Sequence, residues 1–186
     1  MRRNTCIRIY ILVLVICFVG ALPYCFAAQE SGSTQISETK WVPKLQDRVT
    51  DLAKVFSKEG RCSLVETLAR YEDKTTHQIV VLTIPSLRKE SIESFSLRVA
   101  NVWGIGHRRL DNGMLVILAI SDRKVRIEVG RGLEHVIPNE LAKKIIKTDM
   151  VPAFRKGQYA VGIETGVLSL MKAARRYVVP LEKRPK

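Results

Sequence analysis

The chain has 186 residues, with 31 Lys and Arg against 18 Asp and Glu, and a formal net charge of +13 at pH 7. Aromatic side chains make up only 6% and do not interleave with the cations, which argues against nucleic acid as a partner. Of the four cysteines, Cys6, Cys17 and Cys25 precede residue 28, leaving Cys62 alone and excluding an internal disulfide in a processed chain.

The first 27 residues read as a secretory signal peptide. Arg2, Arg3 and Arg8 form a cationic start, residues 9–22 carry no charge, and Pro23 breaks the run. Small residues at Cys25 and Ala27 place cleavage after Ala27 or Ala28. The alternative is an uncleaved anchor, because residues 9–28 approach the length of a bilayer span. Pro23 and Tyr24 before Cys25 disfavour a lipidation site. Export puts the protein in the periplasm or cell envelope. Its net charge then falls from +13 to about +10, which suits an anionic membrane surface or an acidic wall polymer.

Residues 28–42, rich in Ser, Thr, Gln and Glu, read as a flexible linker. One domain follows over residues 43–177. A short entry segment at 49–55 contains Asp51. Ser57 caps a helix whose Leu64, Leu68 and Tyr71 recur at helical spacing, with Cys62 as a small packing residue on it. Residues 78–84 form a strand ended by Pro85, and His77 before it is structural. Ser91 opens a second helix with Ile92, Phe95, Val99 and Val102 on one stripe, and the loop at 104–109 ends it. Residues 114–120 are an unbroken apolar run, the mark of a strand buried on both faces. Val125, Ile127 and Val129 then alternate with Arg126 and Glu128, as in a strand with one wet face. Asn139 caps a third helix bearing Leu141, Ile145 and Ile146. Gly157 precedes a last one through Ile163, Leu170 and Tyr177. Residues 178–186 are a basic, disordered tail.

Strand, helix, strand and antiparallel return make a right-handed β-α-β unit with one added strand. The fold class is α/β: a Rossmann-like sandwich with a small mixed sheet of about four strands covered by helices. A two-residue turn at Asp122-Arg123 would pair Leu115 with Gly130 and Ile117 with Glu128, and set Gly113 beside Gly132. Two distant loops then meet, one with Asp111 and Asn112 and the other with Glu134.

The candidate metal site groups Asp51 with Asp111, Asn112 and Glu134, hard oxygen ligands suited to Ca²⁺ or Mg²⁺. The plainer alternative makes Asp111-Asn112-Gly113 a turn and Glu134 a solvated loop residue. Gly130, Arg131 and Gly132 offer backbone N–H groups and a guanidinium to an anion, though Arg131 serves equally as a surface charge. No P-loop, Cys-x5-Arg loop or paired-Asp nucleophile motif occurs. His107 and His135 read as surface loop residues. At the other strand ends, residues 85–89 and 122–124 form a basic tip. It suits an anionic partner but is read first as turn chemistry.

Over residues 43–172 the chain resembles the TPM domain family. The likeness rests on Val49-Thr50-Asp51-Leu52-Ala53, Gln78-Ile79-Val80-Val81, Trp103-Gly104-Ile105-Gly106, Asp111-Asn112-Gly113, Glu128 to Glu134, and Pro152-Ala153-Phe154-Arg155, in that order. It implies a Rossmann-like extracytoplasmic domain, often tethered to a membrane, and for some members divalent-metal binding and acid phosphatase activity. Thr76 and Arg109 stand where such domains usually carry glycine. Asn139 replaces an Asp, which implies weaker ion binding if that Asp is a ligand. The expected function is an exported envelope module that binds a partner protein, assisted by a divalent ion. The alternative is a metal-dependent acid phosphatase on small phosphate esters or phosphoproteins.

Overall fold

The computed structural model describes residues 41–175 and Tyr177. The leader, the linker up to residue 40 and the basic tail lie outside the described residues.

Ser57 Oγ accepts the Gly60 N–H and starts α1 (Lys58–Thr75) after the short strand β1 (Val49–Asp51). Leu64, Leu68 and Tyr71 form its buried stripe, as their spacing predicts. Cys62, off that stripe, is exposed rather than packed. β2 runs Gln78–Ile84. Ser91 caps α2 (Ile92–Trp103), and Gly104 ends it at a φ of 61°. On α2 the stripe is Ile92, Phe95, Ser96 and Val99. Val102 is 64% exposed, because Trp103 takes the next inward position and donates Nε1–H to Pro43 O at 2.8 Å. Trp41 and Val42, at the end of the expected linker, pack here too, with Trp41 stacked 6.1 Å from Phe95.

Strands β3 (Gly113–Ala119) and β4 (Lys124–Val129) complete a sheet of order β1-β2-β3-β4, parallel through β3 and antiparallel at β4. All seven residues of β3 are buried, which explains its unbroken apolar run. The hairpin register differs from the expectation by two residues: Leu115 faces Glu128 and Ile117 faces Arg126. The turn is wider because its residues are claimed from outside. Ser121 N donates to Pro85 O at 2.9 Å, and Asp122 Oδ2 accepts the Leu87 N–H at 2.8 Å. A shift of two keeps every side chain on its own face, so the core is unaffected.

Helix α3 (Asn139–Ile145) has Pro138, not Asn139, at its cap, with no side-chain capping bond. A π-helical turn (Ile146–Met150) leads into α4 (Val151–Arg155), and α5 (Tyr159–Ala174) ends before Tyr177. Helices α1, α3 and α5 cover the sheet face of Ile79, Val81, Met114 and Val116, while α2 covers the face of Val80, Leu82, Leu115 and Ile117. The crossovers β1-α1-β2 and β2-α2-β3 thus run to successive parallel neighbours over opposite faces. They must have opposite hands, so one departs from the right-handed rule.

His77 lies fully buried where α1 hands over to β2, its Nδ1 3.1 Å from the Tyr71 hydroxyl and its ring stacked 5.9 Å from Tyr177. Burial lowers its pKa from 6.5 to about 4. Between those values the unfolded chain takes up a proton that the native one refuses. His77 therefore contributes stability that is complete above pH 6.5 and is lost as pH falls toward 4, up to roughly 3 kcal/mol. Urea unfolding at about pH 7 and about pH 5 should show a loss near 2 kcal/mol that is absent in His77→Gln. Equal slopes in both proteins would refute the assignment.

Candidate functional site

Two backbone segments meet where the chain enters β3 and leaves β4. Gly130 N donates to Gly113 O at 2.8 Å, and Gly132 N donates to Asp111 O at 3.0 Å. These contacts need glycine. A Cβ on Gly130 would stand 2.1 Å from Asp111 O, and one on Gly132 1.8 Å from Leu110 O. The glycines therefore act by close backbone approach rather than by bending. Of the N–H groups expected to hold an anion, those of Gly130 and Gly132 are occupied by carbonyls.

A cavity of about 300 Å³ opens beside this junction, lined by Asp111, Glu134, Arg131 and Glu128 with Leu97 and Asn101 of α2. Asp111, Arg131 and Glu134 are exposed at its rim. Glu128 is committed: it accepts from Ser96 Oγ at 2.6 Å and pairs with Arg126. No Ser, Thr, Cys, His or Lys lines this space, so it holds no hydroxyl or thiol nucleophile with its base.

The other two members of the expected set are elsewhere. Asn112 is fully buried beneath the loop. Its Nδ2 donates to Thr76 O at 2.7 Å and to Thr76 Oγ1 at 3.1 Å, and its Oδ1 accepts the His107 N–H at 3.0 Å. These bonds clamp Thr76 in a left-handed conformation of φ 66°, the geometry a glycine would adopt freely there. Arg109 adopts no such angle; Asp111 carries it instead, at φ 45°.

Asp51 sits at the far end of the strands, beside Thr83, whereas the Asp111 loop adjoins Gln78. Five residues of β2 separate the two ends, roughly 16 Å. The Asp51 carboxylate accepts the N–H groups of Val55 at 3.1 Å and Phe56 at 3.0 Å, and also the Thr83 hydroxyl. It pins the loop from β1 into α1. The four residues thus do not surround one ion. Among the described residues, no three His, Cys, Asp or Glu side chains converge as a metal group. What the structure brings together is Asp111, Glu134 and Arg131. His135 packs edge-on against Tyr177 at 4.8 Å.

A second, larger cavity of about 560 Å³ went unread in the sequence. It lies at the hairpin tip, where β3 and β4 meet α4 and α5. Its local signals were the basic tip at residues 122–124 and the Pro152-Ala153-Phe154-Arg155 segment, whose Phe154 and Arg155 line it.

With this geometry in hand, the relatives are informative. A family model described as the TPM domain, under the heading TPM phosphatase, matches residues 49–173. The N-terminal domain of a P. gingivalis protein, solved by solution NMR, is 34% identical, covers 69% of this chain and 82% of its own, and superposes with a TM-score of 0.65. A protein from the psychrophilic bacterium Bizionia argentinensis is 17% identical over 70% of this chain and 90% of its own, with a TM-score of 0.59. The N-terminal domain of a Corynebacterium glutamicum protein is 16% identical over 78% and 95%, with a TM-score of 0.54. The last two share the fold. No curated protein matches.

Proposed function

Because the chain belongs to the TPM domain family, we propose that it is an exported binding or accessory module of the cell envelope, engaging a protein partner through the Asp111–Glu134 cavity. The observation that carries this reading is the cavity itself. Two exposed carboxylates and a guanidinium stand on a rigid, glycine-packed junction, with no hydroxyl or thiol nucleophile among them. Rigid elements presenting charged loop residues are a binding arrangement. The leader at residues 1–27 supports export.

A weakly held Ca²⁺ or Mg²⁺ accompanies this proposal. With two carboxylates rather than four side chains, water completes the shell, and affinity falls on the order of 10⁻⁴ to 10⁻³ M. Millimolar Ca²⁺ should raise the melting temperature. The increment should vanish in Asp111→Ala and shrink in Glu134→Gln. It should persist in Asp122→Ala, even though that variant loses the Leu87 bond and starts less stable. An unchanged melting curve and unchanged amide signals from residues 107–135 would remove the ion from the reading.

The second reading, a metal-dependent acid phosphatase, is supported by the heading of the matching family model. Hydrolysis of a chromogenic phosphate ester that stops with chelator and in Asp111→Ala would replace the binding role by it. Protein in the envelope fraction should begin near Ala28 or Gln29; cytosolic protein retaining Met1 would defeat export.

A further inference from the structure

The geometry points to the 560 Å³ cavity at the hairpin tip as a site for the anionic head group and adjoining methylenes of a membrane lipid. Its walls are apolar, formed by Leu118, Val125, Phe154 and Tyr159, and Arg123, Lys124 and Arg155 stand around it. No acidic side chain lines it. Among the described residues none of these three cations has a carboxylate within ion-pair distance. An apolar pocket ringed by unpaired cations complements one ligand chemistry: an alkyl segment ending in an anion.

The backbone around this cavity is held in uncommon conformations. Arg123 has a φ of 51°, a left-handed angle that is strained for a non-glycine residue. On the opposite wall, the Val151 N–H reaches back to Ile146 O, widening one turn into a π-helix just before Pro152-Ala153-Phe154-Arg155. Pro152 has no N–H for Thr148 O, so the α-helical ladder is already interrupted there. The extra residue re-aims the segment. Phe154 packs against α5, where a Cβ at Gly162 would come within 2.5 Å of its Cε1, and Arg155 reaches the cavity. Such local departures gather at functional sites more often than elsewhere. They also give the Pro152-Ala153-Phe154-Arg155 motif a role that the acidic cavity does not use.

The test uses protein expressed from the full chain. Dihexanoyl phosphatidylglycerol should shift amide signals of residues 118–125 and 151–159, while dihexanoyl phosphatidylcholine and inorganic phosphate should not. Phosphatidylcholine vesicles should retain the protein only when they contain phosphatidylglycerol. Arg155→Gln should weaken that retention about fivefold. Arg70→Gln removes an equal charge from the exposed side of α1 and should have little effect. Asp111→Ala should have none, so the outcome is independent of the acidic cavity. Equal losses in Arg155→Gln and Arg70→Gln would overturn the site in favour of diffuse attraction. Equal shifts with the phosphatidylcholine lipid, or with phosphate alone, would overturn the paired recognition of head and tail.

Discussion

Gly132→Ala is expected to cost on the order of 4 kcal/mol and to lower the melting temperature by about 10 °C, whereas Gly157→Ala should cost only about 1 kcal/mol. The two glycines differ in kind. Gly157 needs its hydrogen for conformation, at a φ of 73° with nothing within 4 Å of an added Cβ. Gly132 needs it for space, because the added carbon would stand 1.8 Å from Leu110 O, a backbone atom that cannot rotate away. Relief requires the 130–134 loop to lift, breaking the Gly132 N to Asp111 O bond and separating Asp111 from Glu134. Urea unfolding measures the stability, and the calcium-induced melting increment should disappear with it. A Gly132→Ala protein as stable as Gly157→Ala would show that the junction is loose and the cavity not pre-formed.

Asp51→Ala should cost about 3 to 5 kcal/mol, with or without divalent ions. Removing the carboxylate strands the Val55 and Phe56 N–H groups and the Thr83 hydroxyl, three bonds to one charged acceptor. Asp111→Ala removes an exposed side chain at a left-handed position and should cost far less, about 1 kcal/mol. The pair therefore separates a loop anchor from a rim carboxylate. If chelator erased the stability gap between wild type and Asp51→Ala, Asp51 would be a ligand and its structural assignment would fall.

Much of the fold is legible because its signals are local. Ser57 and Ser91 cap their helices as their positions suggest, since a cap reaches only the next turn. The Asp111 and Glu134 loops do line one cavity, but not through the hairpin pairing from which their meeting was expected. The register of that same hairpin is not legible. A period-2 pattern is unchanged by a slip of two, and the turn that decides between registers is held by Pro85 and Leu87, more than thirty residues upstream.

By itself, then, the sequence determined the α/β class, the starts of the first two helices and the buried strand, all set by neighbours in the chain. Tertiary structure decided which carboxylate does what. Asp51 and Asp111 are the same side chain to a sequence, but Thr83 stands beside one and an open cavity beside the other. It also decided the opposed crossovers and the cationic pocket, whose walls come from a hairpin and two helices far apart in the chain. Burial and charge pairing depend on what lies across space, and no local pattern encodes that.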